Sequence, residues 1–414
     1  MNSSYTSSDR TAAICGMAWF VLIIDACFTW SIPDRVRLVV GFLFVLTGSA
    51  IQFQKRGFRP PKQIEWSILS VLMLMLFFVV YHNNVFAISK YLPLLLISLW
   101  SPIVLMRMYL YFKKFVIFYA ILSIVVEPVF MSGLWRSLPH LTIYPPQDFV
   151  QEAQGTNNYF YGLFCIPYNV NTGLFYRACG PLREGGHWIF FLGFVYFVEQ
   201  ALNNKRNVWL IICGLLTLSP NFIVFFGGTE VYCIIKQNRF KPLLGVVGFI
   251  VIMVLSYPLL PDFIKREVSR IVLERTLVNS LSNMNDEGFM AVLDGRAYSS
   301  NIATYDFFER SDIHTRLFGL DHFEAVMSDY RWMLMYAGYI GTILVLWCTY
   351  CYSIGRQRNL FGIFLFLFAI TIFFQRAWMF NQVYIWAMLL LVVNMKYVFD
   401  SRSQYTLFAN RRIS

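Results

Sequence analysis

Charge is what this 414-residue chain has least of. Asp, Glu, Lys and Arg make up 14% of it, where soluble domains carry about a quarter. So few charges cannot cover the surface of a water-soluble protein of this size. Hydrophobic residues reach 57%, aromatics 18%, and the mean hydropathy is +0.55, which excludes a large soluble globular domain and leaves a polytopic membrane protein. Acidic residues are scarcer than basic ones, 23 against 34, for a net charge of +11. The basic residues are scattered over short segments between apolar runs, so nucleic acid is not an expected partner and the excess reports topology instead. The chain also lacks G-x-x-x-x-G-K-[ST], H-E-x-x-H and D-x-D, which argues against nucleotide hydrolysis, zinc chemistry and a metal-held nucleotide sugar. Neither a metal nor a cofactor is expected. The eight cysteines lie mostly in apolar runs and form no zinc pattern or disulfide framework. Cys165 and Cys179 share one hydrophilic segment, where a bridge and two unpaired thiols are both open readings.

What abounds is apolar runs of near-spanning length. They fall at about 12 to 32, 36 to 53, 64 to 82, 91 to 112, 115 to 134, 187 to 202, 243 to 260, 332 to 353, 359 to 375 and 379 to 399, against the roughly 20 residues a helix needs to cross a bilayer. Segment 208 to 235 is too long for one span and holds Ser219-Pro220-Asn221 and Gly227-Gly228, so it predicts two short, broken helices. The expectation is an all-α protein with a single integral membrane domain over 1–414 and about twelve transmembrane helices. The first run has no basic region before it and no small-residue cleavage site after it, so it is expected to stay as a helix. On this count Lys55/Arg56/Arg59/Lys62, Lys113/Lys114, Lys205/Arg206, Lys236/Arg239/Lys241, Arg356/Arg358 and Arg411/Arg412 share one face. The excess of basic loops makes that face, with both termini, cytoplasmic. Two long loops, 134–187 and 261–331, then lie outside, and long loops without linker composition are usually functional. In the second, Phe263 to Leu277 alternates apolar and charged residues at helical spacing, as a helix lying on the membrane surface or packed on the loop would.

The chemistry-bearing residues gather on the outer side. Tyr176 to Leu192 reads Y-R-A-C-G-P-L-R-E-G-G-H-W-I-F-F-L and sets Arg177, Arg183, Glu184 and His187 among glycines where a hydrophilic loop enters an apolar run. Ionisable groups are costly there and mark a ligand pathway or a catalytic site. Arg296 and Arg316 lie in the second loop, and Asp329 and Arg331 lead into the next run. Arginine suits a phosphate or diphosphate because its planar fork makes two charge-assisted bonds and keeps its charge beside a bilayer. At about 1.5 to 3 kcal/mol per bond, two or three would hold a diphosphate and stabilise it as a leaving group. Gly180, Gly185 and Gly186 would let the backbone approach it, with amides at the following helix start turned toward the anion. Glu184, His187 and Asp329 are the general-base candidates, a hydrogen-bonded structural role being the alternative for the histidine. Asp25, Glu127, Glu199 and Glu230 lie in or near spans and are expected to be structural partners, although an intramembrane acid is also a transporter signal.

At these residues the chain resembles the superfamily of O-antigen polymerases and O-antigen ligases. Arg177-Ala-Cys-Gly180-Pro-Leu-Arg-Glu184-Gly-Gly-His is similar to the family's R-x-x-G-x-x-x-E-P stretch, with Gly185 in place of the usual proline. Leu216-Thr217-Leu218-Ser219 is similar to its L-T-x-S signature. Gly295-Arg296, Leu317-Phe318-Gly319, Ser328-Asp329-Tyr330 and Tyr336-Ala337-Gly338-Tyr339-Ile340-Gly341 follow the family's order in the large outer loop and the helix after it. The resemblance covers about 170 to 345; the first half matches in hydropathy alone. It implies a metal-independent, inverting glycosyltransferase of the GT-C type in a bacterial inner membrane, with its active site facing the periplasm. Arg177 and Arg296 would hold the diphosphate of an undecaprenyl-diphosphate-linked oligosaccharide, Arg183, Arg316 and Gly180 would assist, and a chain-length regulator would be a partner. Family ligases carry histidine where this chain has Ser328-Asp329, which favours a polymerase over a ligase that passes the glycan to lipid A core or protein. Tyr144, Tyr159, Tyr161, Tyr168 and Tyr176 would stack on sugars or form an interfacial aromatic belt. A secondary transporter or lipid-oligosaccharide flippase fits the span count and the broken helix pair too.

Overall fold

Polar and helix-breaking residues punctuate this chain, and the helices follow them. A computed structural model describes residues 7–24, 26–29, 32–56, 65–143, 157–168, 178–182, 185–217, 219, 221–237, 299–320, 331–355, 359–376, 379–380 and 382–393, and they are mostly helical. The first helices in chain order are α1 (Ser7–Ile23), α2 (Asp34–Arg56), α3 (Glu65–Tyr81), α4 (Phe86–Ser98) and α5 (Pro102–Met131). Three short strands follow, β1 (Leu141–Ile143), β2 (Asn157–Phe160) and β3 (Cys165–Tyr168). Next come α6 (Gly185–Asn203), α7 (Val208–Leu216) and α8 (Gly228–Gln237), then α9 (Ser299–Arg310) and α10 (Ile313–Phe318). The last are α11 (Arg331–Tyr352), α12 (Leu360–Gln375) and α13 (Tyr384–Val393). Two units result: Met1–Asp25, Ile32–Lys114 and Ser299–Ser414 form the first, Ala26–Ser31 and Phe115–Tyr298 the second.

Among the described residues, three helices are long and apolar enough to cross a membrane, within Asp34–Gln54, Pro102–Met131 and Arg331–Tyr352; Trp66–Tyr81, Phe86–Ser98 and Leu360–Phe374 are apolar but shorter. Their outer faces are greasy: along α3, Trp66, Leu69, Met73, Leu76 and Val80 are exposed at helical spacing, Trp66 at 68% and Val80 at 62%. An apolar stripe like this belongs against lipid chains rather than water. Inside the first unit, polar side chains tie the helices together. The Trp100 indole donates to Ser49 Oγ at 2.9 Å, Ser98 and Tyr352 share a 2.9 Å hydroxyl bond, and the Trp386 indole donates to Thr349 Oγ1 at 3.2 Å. Such bonds favour specific helix pairing where an unmet polar group would face hydrocarbon. Cys348 and Cys351, one turn apart in α11, are buried.

The second unit is built around α6, whose side chains from Trp188 to Gln200 are all buried, as expected of a helix apolar on every side. Within the segment 208 to 235, expected to form two short, broken helices, α7 ends at its C-cap Thr217 and a π turn over Ile223–Gly227 leads into α8. Glu230 is a structural partner: it accepts from Tyr196 Oη at 2.7 Å and pairs with Arg206 at 2.6 Å. Glu199 likewise accepts from Asn203 at 3.3 Å.

Two expectations need correction. Segments 91 to 112 and 115 to 134 were expected to be two spans parted by Lys113-Lys114. Instead the break falls at Leu99–Ser101, and α5 runs unbroken for 30 residues through both lysines. Lysine is a good helix former, whereas Pro102 at the first helical position, with Ser101 accepting from Val104 N, is a helix start. Segment 134–187, read as a loop of an all-α protein, contains an antiparallel sheet of order β1-β2-β3, with Thr142 opposite Tyr159 and Tyr159 opposite Ile166. Its β-branched and aromatic residues suit a pleated surface, and Gly162, with φ +88°, suits the first position of a two-residue II′ hairpin turn. The tyrosines of this segment pack on one another's neighbours. Tyr159 contacts His140 and Trp135 with centroids 4.7 and 5.3 Å away, and Tyr161 stacks on Phe164 and donates to Trp135 O at 2.8 Å. Tyr144, Tyr176, Asp25, the span expected at 243 to 260, the helix expected over 263 to 277, and the second outer loop apart from 299–320 and Arg331 lie outside the described residues. Cys179 is buried, and the side chain of Cys165 lies outside the described residues.

Candidate functional site

The segments singled out in the sequence meet in pairs, one pair in each unit. In the second unit, the loop 178–182 lies on the end of α7. Ala178 N donates to Leu216 O at 2.9 Å, Cys27 N donates to Pro181 O at 2.7 Å, and Leu182 N closes a turn on Cys179 O at 3.0 Å. Gly180, with φ +58°, rests on the Trp188 indole, so close that a Cβ would lie 2.5 Å from the ring. A Cβ on Gly185 would lie 2.8 Å from Thr217 O and 3.0 Å from Ala178 O. The R-x-x-G and L-T-x-S segments are thereby joined backbone to backbone. Ala178, Cys179 and Trp188 are fully buried, while His187, in the first turn of α6, is half-buried. Around the Cys213 thiol stand Trp188, Ser123, Cys179 and Glu127; Glu127 is buried within α5, and its sequence position did not mark it as a neighbour of this loop.

In the first unit, the segment after α10 crosses a break in α11. Gly338 leaves helical geometry, with φ +61° and ψ −173°, and the interrupted ladder makes Met335 O available to Leu320 N, which donates at 2.7 Å. A Cβ on Gly338 would lie 2.5 Å from Gly319 N and from Leu317 O, and one on Gly319, with φ +96°, would lie 2.1 Å from Tyr336 O. Only backbone fits between these strands of chain. The L-F-G and Y-A-G-Y-I-G segments meet here. Asp312 caps α10 by accepting from Thr315 N at 3.2 Å; the Thr315 side chain, and after it this amide, hold its carboxyl below the ordinary value. Arg316 follows in the same helix, half-buried, and its Nε has no hydrogen-bond partner among the described residues.

Aromatic faces surround this crossing. Phe318 stacks on Tyr81 with centroids 4.0 Å apart, and Tyr336 lies between His82 at 4.8 Å and Trp332 at 4.9 Å, nearly parallel to both. Phe380 closes on Trp332 and Tyr336, and His314 on Phe318. Arg331 is buried, its guanidinium 5.7 Å from the Tyr305 ring centre. Sequence reasoning missed His82, Tyr81 and the stack. The available signal was His82-Asn83-Asn84, a polar trio closing an apolar run, in which Asn83 has φ +47°.

Of the sequence-expected site residues, the structure places Gly180 and His187 in the second unit and Arg316 in the first. Arg177, Arg183, Glu184, Arg296 and Asp329 lie outside the described residues. The first junction holds the first turn of α6 with His187, and at the second Arg316 shares α10 with Phe318. Comparison with protein-family models, with curated proteins and with solved structures returned no match.

Proposed function

We propose that this chain is a bacterial inner-membrane polysaccharide polymerase, of about twelve spans and GT-C-like architecture, whose active site faces the periplasm. The observation that carries it is the pairwise meeting of the resembling segments: loop 178–182 on Leu216-Thr217, and Leu317–Leu320 on the Gly338 break. In this reaction a hydroxyl of one lipid-linked repeat unit attacks the anomeric carbon of a chain carried on undecaprenyl diphosphate. The new glycosidic bond forms as the bond to the diphosphate breaks, with inversion. Arg177 and Arg296, supported by Arg183 and Arg316, bind the departing diphosphate, Gly180 keeps the loop close, and Glu184, His187 or Asp329 accepts the proton. The exposed apolar stripes support a membrane setting. The test is chain growth by purified protein on synthetic lipid-linked repeat units: ladders of product are expected, and no extension alongside an active reference polymerase would overturn it.

Buried Glu127 in the apolar part of α5 and the π turn between α7 and α8 favour a second reading, a transporter, since buried acids and broken helices are its usual parts. Movement of lipid-linked oligosaccharide across proteoliposomes without polymer formation would select it.

A further inference from the structure

Helices α9 and α10 belong to a segment expected to be an outer loop, yet they pack along the flank of α11. Phe308 of α9 is fully buried in a cluster with Leu320 and Met335, and Tyr305 packs against it. Phe308 also meets Tyr339 edge-on, with ring centres 5.9 Å apart, and the Arg331 guanidinium lies 5.7 Å from the Tyr305 ring centre. Helix α9 therefore follows α11 from Arg331 to Tyr339, two turns or about 12 Å along its axis. Those turns open a helix long and apolar enough to cross a membrane, whose length of about 33 Å only just exceeds the roughly 30 Å of a hydrocarbon core. The contact at Tyr339 thus lies beneath the bilayer surface.

The protein surface beside that contact faces lipid. On α11, Tyr339, Ile343, Leu346 and Tyr350 are exposed at helical spacing and form one stripe. On α9, Phe307 is 64% exposed and points about 100° around the helix from Phe308, while Asp306, Glu309 and Arg310 are exposed on the remaining face. A packed face, a bare aromatic at its edge and charges opposite are the pattern of a helix lying in a membrane interface. We propose that α9 is such a helix: Phe307 inserts among lipid acyl chains of the leaflet at the Arg331 end of α11, and Asp306, Glu309 and Arg310 stay among headgroups and water. This seats the Leu317–Leu320 crossing at the membrane. The proposal stands apart from the polymerase reading, and its failure would leave that reading untouched.

The test places the photoreactive amino acid benzoylphenylalanine at position 307, 309 or 343 of the full chain in phosphatidylcholine nanodiscs, and counts lipid adducts by mass spectrometry after illumination. Position 307 should give adducts comparable to those at Ile343 in the lipid-facing stripe, and roughly tenfold more than Glu309 on the charged face. Adducts at 307 no more frequent than at 309, or formed with protein in place of lipid, would overturn the proposal. A milder substitution guards against a misfolded variant. Trifluoromethyl-phenylalanine at 307 should have its fluorine resonance relaxed more by dioxygen, which partitions into lipid, than by a water-soluble nickel chelate; the reverse order would also overturn it.

Discussion

The two junctions solve one problem with different materials. Each lays a loop across the interrupted end or middle of a helix, where free carbonyls accept its amides. In the first unit the contact is backbone on backbone, Gly319 against Gly338, and nothing can yield. In the second, Gly185 also meets backbone, at Thr217 O and Ala178 O, but Gly180 lies against the Trp188 indole, a side chain that can be cut back. A glycine opposite backbone is therefore an absolute requirement, whereas a glycine opposite a side chain is half of a pair.

That contrast predicts the largest effect at the first-unit crossing. Gly338→Ala and Gly319→Ala each combine positive φ with a Cβ inside contact distance of backbone, a cost of about 3 to 5 kcal/mol. The expected outcome is loss of monodisperse protein or a sharply lowered unfolding midpoint in detergent. A normal midpoint for either variant would break the comparison.

Next in size is the chemistry. Under the polymerase reading one junction holds the proton acceptor, so either Glu184→Gln or His187→Gln, or else Asp329→Asn, should bind lipid-linked donor yet extend it about 100-fold more slowly. Chain-extension rates across the three variants say which unit carries the base; three near-normal rates would remove the acceptor from both loops.

Gly180→Ala should cost about 2 to 3 kcal/mol from its left-handed backbone and the indole contact. Trp188→Phe in the same chain should recover part of it, an interaction that a double-mutant cycle on unfolding midpoints would measure. No coupling would mean that the indole does not set the requirement.

The smallest effect is the α10 cap. The Asp312 carboxyl lies below its ordinary 3.8 because ionised it accepts from Thr315. A depressed carboxyl stabilises the fold above its unfolded value and loses that contribution as pH falls through its folded value. Amide exchange in α10 should therefore quicken below about pH 4. Asp312→Asn, which keeps a capping oxygen, should flatten that dependence.

Much of this was legible along the chain. The limits of α2, α3, α6 and α12 follow from apolar runs bounded by polar residues, and Ser219-Pro220 with Gly227-Gly228 announced the broken pair, since backbone preferences act locally. Lys113-Lys114 misled because charge marks membrane boundaries but does not stop a helix, while Ser101-Pro102 does. Strands β1 to β3 were missed because each is three or four residues long, too short for a period to show. The glycines of the R-x-x-G, L-F-G and Y-A-G segments were visible as short patterns, but their partners were not.

What the sequence determined by itself is the apolar helical character, the helix punctuation and the inventory of arginines, acids and histidines, all of which depend on residues near one another in the chain. Only the tertiary structure decided that Ala178 bonds Leu216, that Gly319 meets Gly338, that Tyr336 lies between His82 and Trp332, and that Phe308 packs on Tyr339. Most of these pairings depend on packing between residues distant in sequence; composition and local pattern do not encode such choices singly.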